Sequence, residues 1–594
     1  MSGQDFSDDQ RRYLEGFVSG VQAGRVAQGL KPLGGIGAGP GEPSGPDAPH
    51  HKAMARLEAD GKKLVNEEKA KRDEHPFDAY ARFKAESANG QFPKGVDNFR
   101  WRFHGLFYVA PTQDSYMCRL RVANGVMSAW QFAGVADIAE RFGGGYAHVT
   151  TRANLQIREI GAENGVAVIE SLVDLGLTAK GSGADNIRNV TGAPTAGIDP
   201  QELLDTRPHA RDWHHHILND RTLYGLPRKF NVAFDGGGII PVLEETNDIA
   251  FTAVTATEGA EPGVWFRLGL GGITGHRDFA RSTGVYVKPA EAVAVADAIV
   301  RVYIDHGDRT NRQKARLKYL LDDWGFDKFL VEVENKLGRT LVRLPDGAVL
   351  APPRQNRQAH VGVWPQKQTG LVWVGVVLPV GKMICAQMRG LARIAQDLGD
   401  GDIRLTVWQN LLISGVQAGD APLVETRLQA LGLTAKATSV RAGLVACTGS
   451  TGCKFAAADT KGTAIAIADW VEPRASLDTP VNIHLTGCHH SCAQHYVGDI
   501  GLLAAKVDRG EEKVEGYHVY IGGGAASTGE QAMARDFAQS VAFDDLPALL
   551  ERLLGAYLAH RRAATESFFE FCRRHEVAQL RKLADEAPVR ALAA

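Results

Sequence analysis

Apolar and polar positions along the chain mark out a few elements before any chemistry is considered. Tyr13, Leu14, Phe17, Val18 and Val21 share one face at helical spacing. Ser7-Asp8-Asp9-Gln10 reads as a capping box ahead of them, so the pattern predicts a short amphipathic helix ending near Gly24 or Gly29. From Pro32 to Pro49 the chain is dominated by Gly, Pro and Ala, with few large apolar groups to offset ordering entropy, and it reads as a flexible linker. Lys/Glu alternation from Ala53 to Glu74 predicts a solvated helix with an exposed charged face. Near the other end, Leu546, Leu549, Leu550, Leu553, Leu554 and Tyr557 form a helical stripe suited to core packing.

The body of the chain repeats itself. Arg119 to Ile157 aligns without a gap on Gly375 to Ile413: Gly125 falls on Gly381, Thr150 on Thr406, Asn154 on Asn410 and Leu155 on Leu411. Each copy reads strand, glycine turn, helix (Trp130 to Phe142; Met388 to Leu398), then strand, as in half of a two-layer α/β sandwich. The echo continues downstream, with Thr191-Gly192 against Thr448-Gly449, Asn231 and Gly236 against Asn482 and Gly487, and F-R-L-G-L-G-G at 266–272 against V-Y-I-G-G-G at 519–524. A duplicated unit with pseudo-twofold symmetry follows, and a cofactor between related halves would be contacted from both sides. Pro352-Pro353 and the polar run to His360 mark the junction.

Only the second half carries clustered cysteines. Cys447, Cys453, Cys488 and Cys492 stand in a C-x5-C, then C-x3-C pattern flanked by Thr448, Gly449, Gly452, Gly487 and Ser491, small residues that let backbone approach an inorganic core. Four thiolates suit an iron–sulfur cluster. A structural zinc site also uses four thiolates, but its paired ligands usually lie two to four residues apart. Disulfides need an oxidising compartment, and the acidic N-terminus has no secretory apolar core. Cys118, Cys385 and Cys572 stand alone and read as ordinary buried thiols.

Composition narrows the partners. Hydrophobic residues at 44% and charged residues at 23% describe a globular chain of several domains. No apolar run approaches the roughly 18 residues a bilayer span needs. A net charge of −2 gives no global argument for nucleic acid or an anionic membrane. A cytoplasmic, reducing location is the expectation.

The pattern C-T-G-S-T-G-C, then T-G-C-H-H-S-C, resembles the sirohaem and 4Fe–4S nitrite and sulfite reductase family. So do Y-M-C-R-L-R-V-A-N-G at 116–125, V-T-T-R-A-N-L-Q-I-R at 149–158, D-N-I-R-N-V-T-G at 185–192 and L-P-R-K-F-N at 226–231. The resemblance implies an α+β chain of two ferredoxin-like half-domains and two larger cofactor-binding domains. The boundaries expected are 1–75 for an N-terminal extension, 76–175 and 351–435 for the half-domains, 176–350 for the first sirohaem and substrate domain, and 436–594 for the cluster domain. It implies that Cys447, Cys453, Cys488 and Cys492 hold the cluster and that Cys492 also bridges to the sirohaem iron. Arg119, Arg188, Lys229 and Asn231 match the positions around the open axial face of that iron, where cations stabilise an anion and protonate its leaving oxygens.

Sirohaem's eight carboxylates need cations and N–H donors. The expected set is Arg121, Thr150, Arg152, Asn154, Arg158 and Arg228, with Arg267, Arg281 and the glycines of 269–275 and 522–524 as further candidates. The neutral Asn231, where sulfite reductases of this kind typically carry a second lysine, favours the nitrite monoanion over sulfite. A structural turn is the competing reading of Asn231, since Asn482 echoes it in the other half. No dinucleotide motif is present, so an external donor, ferredoxin, is expected, with Lys454, Lys461, Arg573 and Arg574 as docking candidates and a monomer as the working state. A sulfite reductase, a cluster-only electron carrier and a corrin-biosynthetic relative are the alternatives. His489, His490 and His495 receive no role.

Overall fold

The glycine shared by the two repeats sends each copy across to the other. In the computed structural model, which describes residues 16, 17, 19, 20, 43–436, 440–525 and 531–587, Gly125 and Gly381 both have φ +71°. A Cβ at Gly125 would sit 2.7 Å from Leu405 O, and one at Gly381 2.7 Å from Val149 O. The left-handed backbone and the close approach both demand glycine. The chain leaving each glycine forms a short strand, Val126–Ser128 or Lys382–Ile384, that pairs with the other copy.

Two five-stranded antiparallel sheets result. One runs Leu106–Val109, Ser115–Arg119, Leu155–Ile160, Tyr146–Val149 and the visiting Lys382–Ile384. Its counterpart runs Gly362–Pro365, Leu371–Val376, Leu411–Gln417, Asp402–Leu405 and the visiting Val126–Ser128. Met383 sits opposite Ala147, and Met127 opposite Ile403. The helices Ala129–Phe142 and Cys385–Leu398 begin within a few residues of the predicted positions and pack on each other, burying Phe132, Val135, Met388 and Leu391 in one shared core. Ser128 accepts from Gln131 N–H at the first helix's start, and Gln131 Nε2 donates to Leu175 O at 3.0 Å. At Ile384 the hydroxyl is gone, but Gln387 still reaches Leu431 O at 3.1 Å.

Each half then continues into a mixed sheet. Thr191–Gly192, Val232–Asp235 and Ile249–Ala256 run parallel and turn antiparallel through Gly263–Leu270 and Arg281–Val287. Leu444–Ala446, Ile483–Thr486 and Ile500–Arg509 repeat this, followed by Glu512–Ile521 and Arg535–Ala542. Asn231 N–H donates to Asp248 Oδ2 at 2.9 Å, and Asn482 N–H donates to Asp499 Oδ2 at 2.8 Å, so the same turn recurs in both halves. The C-terminal stripe is buried along Leu546–His560 as its spacing predicts. The fold is the duplicated α+β architecture.

The N-terminal region departs from its pattern. The capping box, most of the Tyr13–Val21 stripe and residues 32–42 of the linker lie outside the described residues; Phe17 is helical and exposed. Ala53 to Glu74 is not one solvated helix. It forms parts of Ala48–Ala59 and Asn66–Asp73, and the second helix buries Glu68 and Lys71. Alternating charge cannot reveal that two of the charges have buried partners. Among the described residues, no helix is long and apolar enough to cross a membrane.

Candidate functional site

A cavity of about 480 Å³ opens where the first half-domain, the first mixed-sheet domain and the cysteine loops meet. Its floor is sulfur. Cys447, Cys453, Cys488 and Cys492 all line it. Cys447 Sγ accepts the Gly487 N–H at 3.1 Å, and His490 Nδ1 lies 3.3 Å from Cys488 Sγ. Ser491 and Gln494 adopt left-handed backbone, φ 51° and 56°, which folds the C-x3-C loop tightly. Thr151 Oγ1 donates to Cys492 O at 2.8 Å, tying this loop to the opposite half.

Four thiols lining one cavity suit a polynuclear iron–sulfur centre. Close glycines leave it room: a Cβ on Gly487 would fall 2.5 Å from Ala456 Cβ, and one on Gly452 would fall 2.5 Å from Arg158 Nη1.

The walls are cationic. Arg119, Arg152, Arg158, Arg188, Arg228, Lys229, Arg312 and Arg316 all reach the cavity. Arg119 lies 4.6 Å over the Phe107 ring. Burial pulls Arg119 and Arg152 down to about 10, opposed for both by the nearby Cys492. Burial, followed by repulsion from Arg316, holds Lys229 well below the usual lysine range. Arg188 is lowered by burial and then by Arg119. Its Nη atoms donate to Ser182 O at 2.7 Å and Ala184 O at 2.6 Å, while its buried Nε has no partner. Lys229 Nζ makes no hydrogen bond among the described residues. So many desolvated cations with so few carboxylates, chiefly Asp185 and Asp248, call for an anionic occupant.

Asn231 interrupts this wall with a neutral group. Its amide accepts from Arg152 Nη2 at 2.9 Å and donates to Phe230 O at 3.2 Å. Arg152 Nη1 donates to Asn247 Oδ1 at 2.8 Å, so both ends of this guanidinium are fixed.

Comparison with known proteins decides the lineage. Residues 183–341 and 438–586 match the nitrite and sulphite reductase 4Fe–4S domain, and residues 108–175 and 364–431 match the nitrite/sulfite reductase ferredoxin-like half domain. The chain belongs to the nitrite and sulphite reductase family. It is 36% identical to a ferredoxin–nitrite reductase of Synechococcus elongatus over 477 residues, covering 77% of this chain and 90% of the relative. It is 38% identical to one from Leptolyngbya laminosa, covering 77% and 89%, and 36% identical to a chloroplastic one from Zea mays, covering 77% and 81%. The structure of Mycobacterium tuberculosis NirA superposes with a TM-score of 0.81 at 28% identity, covering 88% of this chain and 98% of that one. An iron–sulfur centre is thus part of this reductase.

Most of the residues predicted from the sequence line the cavity, but three are bound up in scaffold. Arg121 does not face it: fully buried, it donates to Ile187 O at 2.6 Å and to Arg188 O at 3.3 Å, bracing the loop that carries Arg188. Asn154 reaches the wall, yet its amide is consumed by Leu120 O and Leu155 N–H. Thr150 Oγ1 accepts from Arg152 N–H at 3.2 Å and so shapes the turn.

The further candidates divide in the same way. Arg267 is off the cavity, and Arg281 pairs with Asp322 at 2.8 Å. Of the glycine segments, Gly275 lines the cavity, whereas 522–524 pack against Tyr496, Arg357 and Cys572. Lys461 is no surface docking residue: it lines the cavity and is pulled by burial to about 7. Arg574 is taken by Glu566. Lys454 is exposed beside Cys453.

Arg102, Thr151, Arg312, Arg316, Gln494 and His148 were not expected at the site. The cation-rich run Arg309 to Lys318 was visible in the sequence, but nothing local says which of its members turn inward. His489 and His490 line the cavity, and His495 is buried with its Nδ1 2.9 Å from Ser491 Oγ.

Proposed function

We propose that this reductase takes nitrite to ammonium with electrons from ferredoxin, using a sirohaem beside the 4Fe–4S cluster. The observation that carries the reading is the cavity itself, in which four spaced thiols face a wall of desolvated cations broken by one neutral amide. The unpartnered Arg188 Nε and the glycine-lined sulfur loops fit a polycarboxylate tetrapyrrole and a cluster. When bound, these groups would supply the iron that receives nitrite and would relay to it the six electrons drawn from ferredoxin. Cys447, Cys453, Cys488 and Cys492 would hold the cluster, and Arg152, Arg158, Arg228, Arg312 and Arg316 would meet the carboxylates.

The remaining work falls to side chains near the substrate. Arg119, Arg188 and Lys229 attract the anion and stabilise charge on each leaving oxygen. Burial makes the Lys229 proton easier to release than that of a solvated lysine, which suits it to protonate an oxygen as its bond to nitrogen breaks. Asn231, held by Arg152, offers a neutral contact suited to a monoanion. Ferredoxin docking near Lys454 and the exposed Phe455 is supported by their closeness to Cys453 and by the relatives' dependence on ferredoxin. The test is ammonium and sulfide formation by cofactor-replete protein with reduced ferredoxin, nitrite and sulfite being supplied separately. A higher kcat/KM for nitrite is expected, and a higher one for sulfite overturns the assignment.

A further inference from the structure

The helix Asn66–Asp73 precedes every segment matched to the family, the first of which begins at residue 108. It nevertheless delivers charge deep into the protein. Lys71 Nζ donates to Leu226 O at 2.8 Å and Gly225 O at 3.2 Å, and lies 2.5 Å from Glu68 Oε1 and 3.5 Å from Asp185 Oδ2. Arg309 Nη1 donates to Glu68 Oε2 at 2.6 Å, and Arg309 Nη2 donates to His50 Nδ1 at 3.0 Å. His50 Nε2 in turn donates to Thr222 O at 2.8 Å, so the N-terminal helices grip residues 222–226 at both ends. Lys71, Arg309, Glu68 and Asp185 are all buried, and their charges cancel.

What they grip leads directly to the cavity. Gly225 and Leu226 immediately precede Pro227-Arg228-Lys229. Asp185 accepts two bonds from Arg312, at 2.7 and 2.8 Å, and lies 3.7 Å from Arg228. Leu226 N–H donates to Asp185 O, Phe230 N–H to Asn186 O, and Arg188 N–H to Phe230 O. The loops bearing Arg188, Arg228 and Lys229 are therefore one stitched unit, and Lys71 is bonded to both of its segments.

We propose that Lys71 is a positioning residue whose ammonium clamps the 225–229 turn and Asp185, and so sets the places of Arg228, Lys229 and Arg312 in the anion cavity. Packing alone would be served by an apolar side chain at lower desolvation cost. An ammonium divided between two carbonyls and two carboxylates fixes a geometry instead. The kinetic arm of the test rests on the nitrite-reducing reading, and the structural arm does not.

Lys71→Met leaves Glu68 paired with Arg309 and Asp185 paired with Arg312, so each buried carboxylate keeps a cation and the fold is protected. In the full chain its Gly225, Leu226 and Phe230 amides should exchange with deuterium about tenfold faster, while those of Ile483–Thr486 keep their rates. In the cofactor-replete enzyme the nitrite KM should rise about tenfold, because displacing a positioned group by a fraction of an ångström is enough to weaken the site. Lys71→Arg, which retains charge and donors, should restore slow exchange. Unchanged exchange at the three amides, or acceleration spread equally to Ile483–Thr486, overturns the proposal. If the protein reduces no nitrite, the functional reading fails while the exchange rates still decide on the clamp.

Discussion

Arg152 Nη2 donates to the Asn231 amide oxygen at 2.9 Å, so the residue that distinguishes the L-P-R-K-F-N motif is held by a cation from the first half-domain. A lysine at position 231 would place its ammonium against this guanidinium in a partly desolvated site, and like charges there repel. Asn231→Lys should therefore lower nitrite kcat/KM by about tenfold, with a rise in the sulfite-to-nitrite ratio. Parallel steady-state assays with the two anions check this, and an unchanged ratio would move anion selectivity elsewhere.

Met127 and Met383 are buried at equivalent places on the exchanged strands. Truncating either to alanine should cost about 2–4 kcal/mol, as for other large-to-small core changes. Because each strand completes the other copy's sheet, both variants should unfold in one urea transition at a lower midpoint. Two separable transitions would show that the halves do not depend on each other.

Arg121 braces the 187–188 backbone and takes no part in the cavity. Arg121→Met leaves buried carbonyls unpaired and should destabilise by about 1–3 kcal/mol. Differential scanning of the apo-protein measures it. If stability is unchanged while cofactor absorbance is lost, Arg121 belongs with the ligands after all.

Burial depresses His360, His484 and His495 to about 3 and His104 to about 4. A histidine whose folded pKa lies below its unfolded value near 6.5 contributes stability above that value and loses it as pH falls. The melting temperature should decline steadily from about pH 6.5 down to 4, the unfolded chain taking up protons that the folded one refuses. His484→Gln should make that decline shallower in a pH series of thermal melts; an unaltered slope would show that His484 contributes nothing to it.

Local pattern carried the duplication a long way. Gly125 and Gly381 align in the sequence because each must take φ +71° beneath a carbonyl of the other copy, and the helices after them keep their apolar stripes for a shared core. The strand exchange between them was not legible, because Val126–Ser128 and Lys382–Ile384 are three-residue segments whose partners lie in the other repeat. Lys71 was misread for a similar reason: a charged helix looks solvated until its partners, Glu68, Asp185 and two carbonyls, are seen around it.

The chemistry available can be read along the chain: four thiols flanked by small residues, a supply of arginines, and the Asn231 that follows Lys229. Sulfur ligation and anion binding depend on residue type and short spacing, which a linear chain displays. Tertiary structure decided which cations face the cavity. Arg121 and Arg119 are two residues apart, yet one braces carbonyls and the other lines the site. Arg312 and Arg316 were drawn in from a distant segment, and the helix Asn66–Asp73 reaches, through Lys71, the same Asp185 that holds Arg312. Desolvation drives that choice: a cation taken from water is either satisfied by the fold, as Arg121 is by two carbonyls, or left facing a cavity that an anion can fill, as Lys229 is.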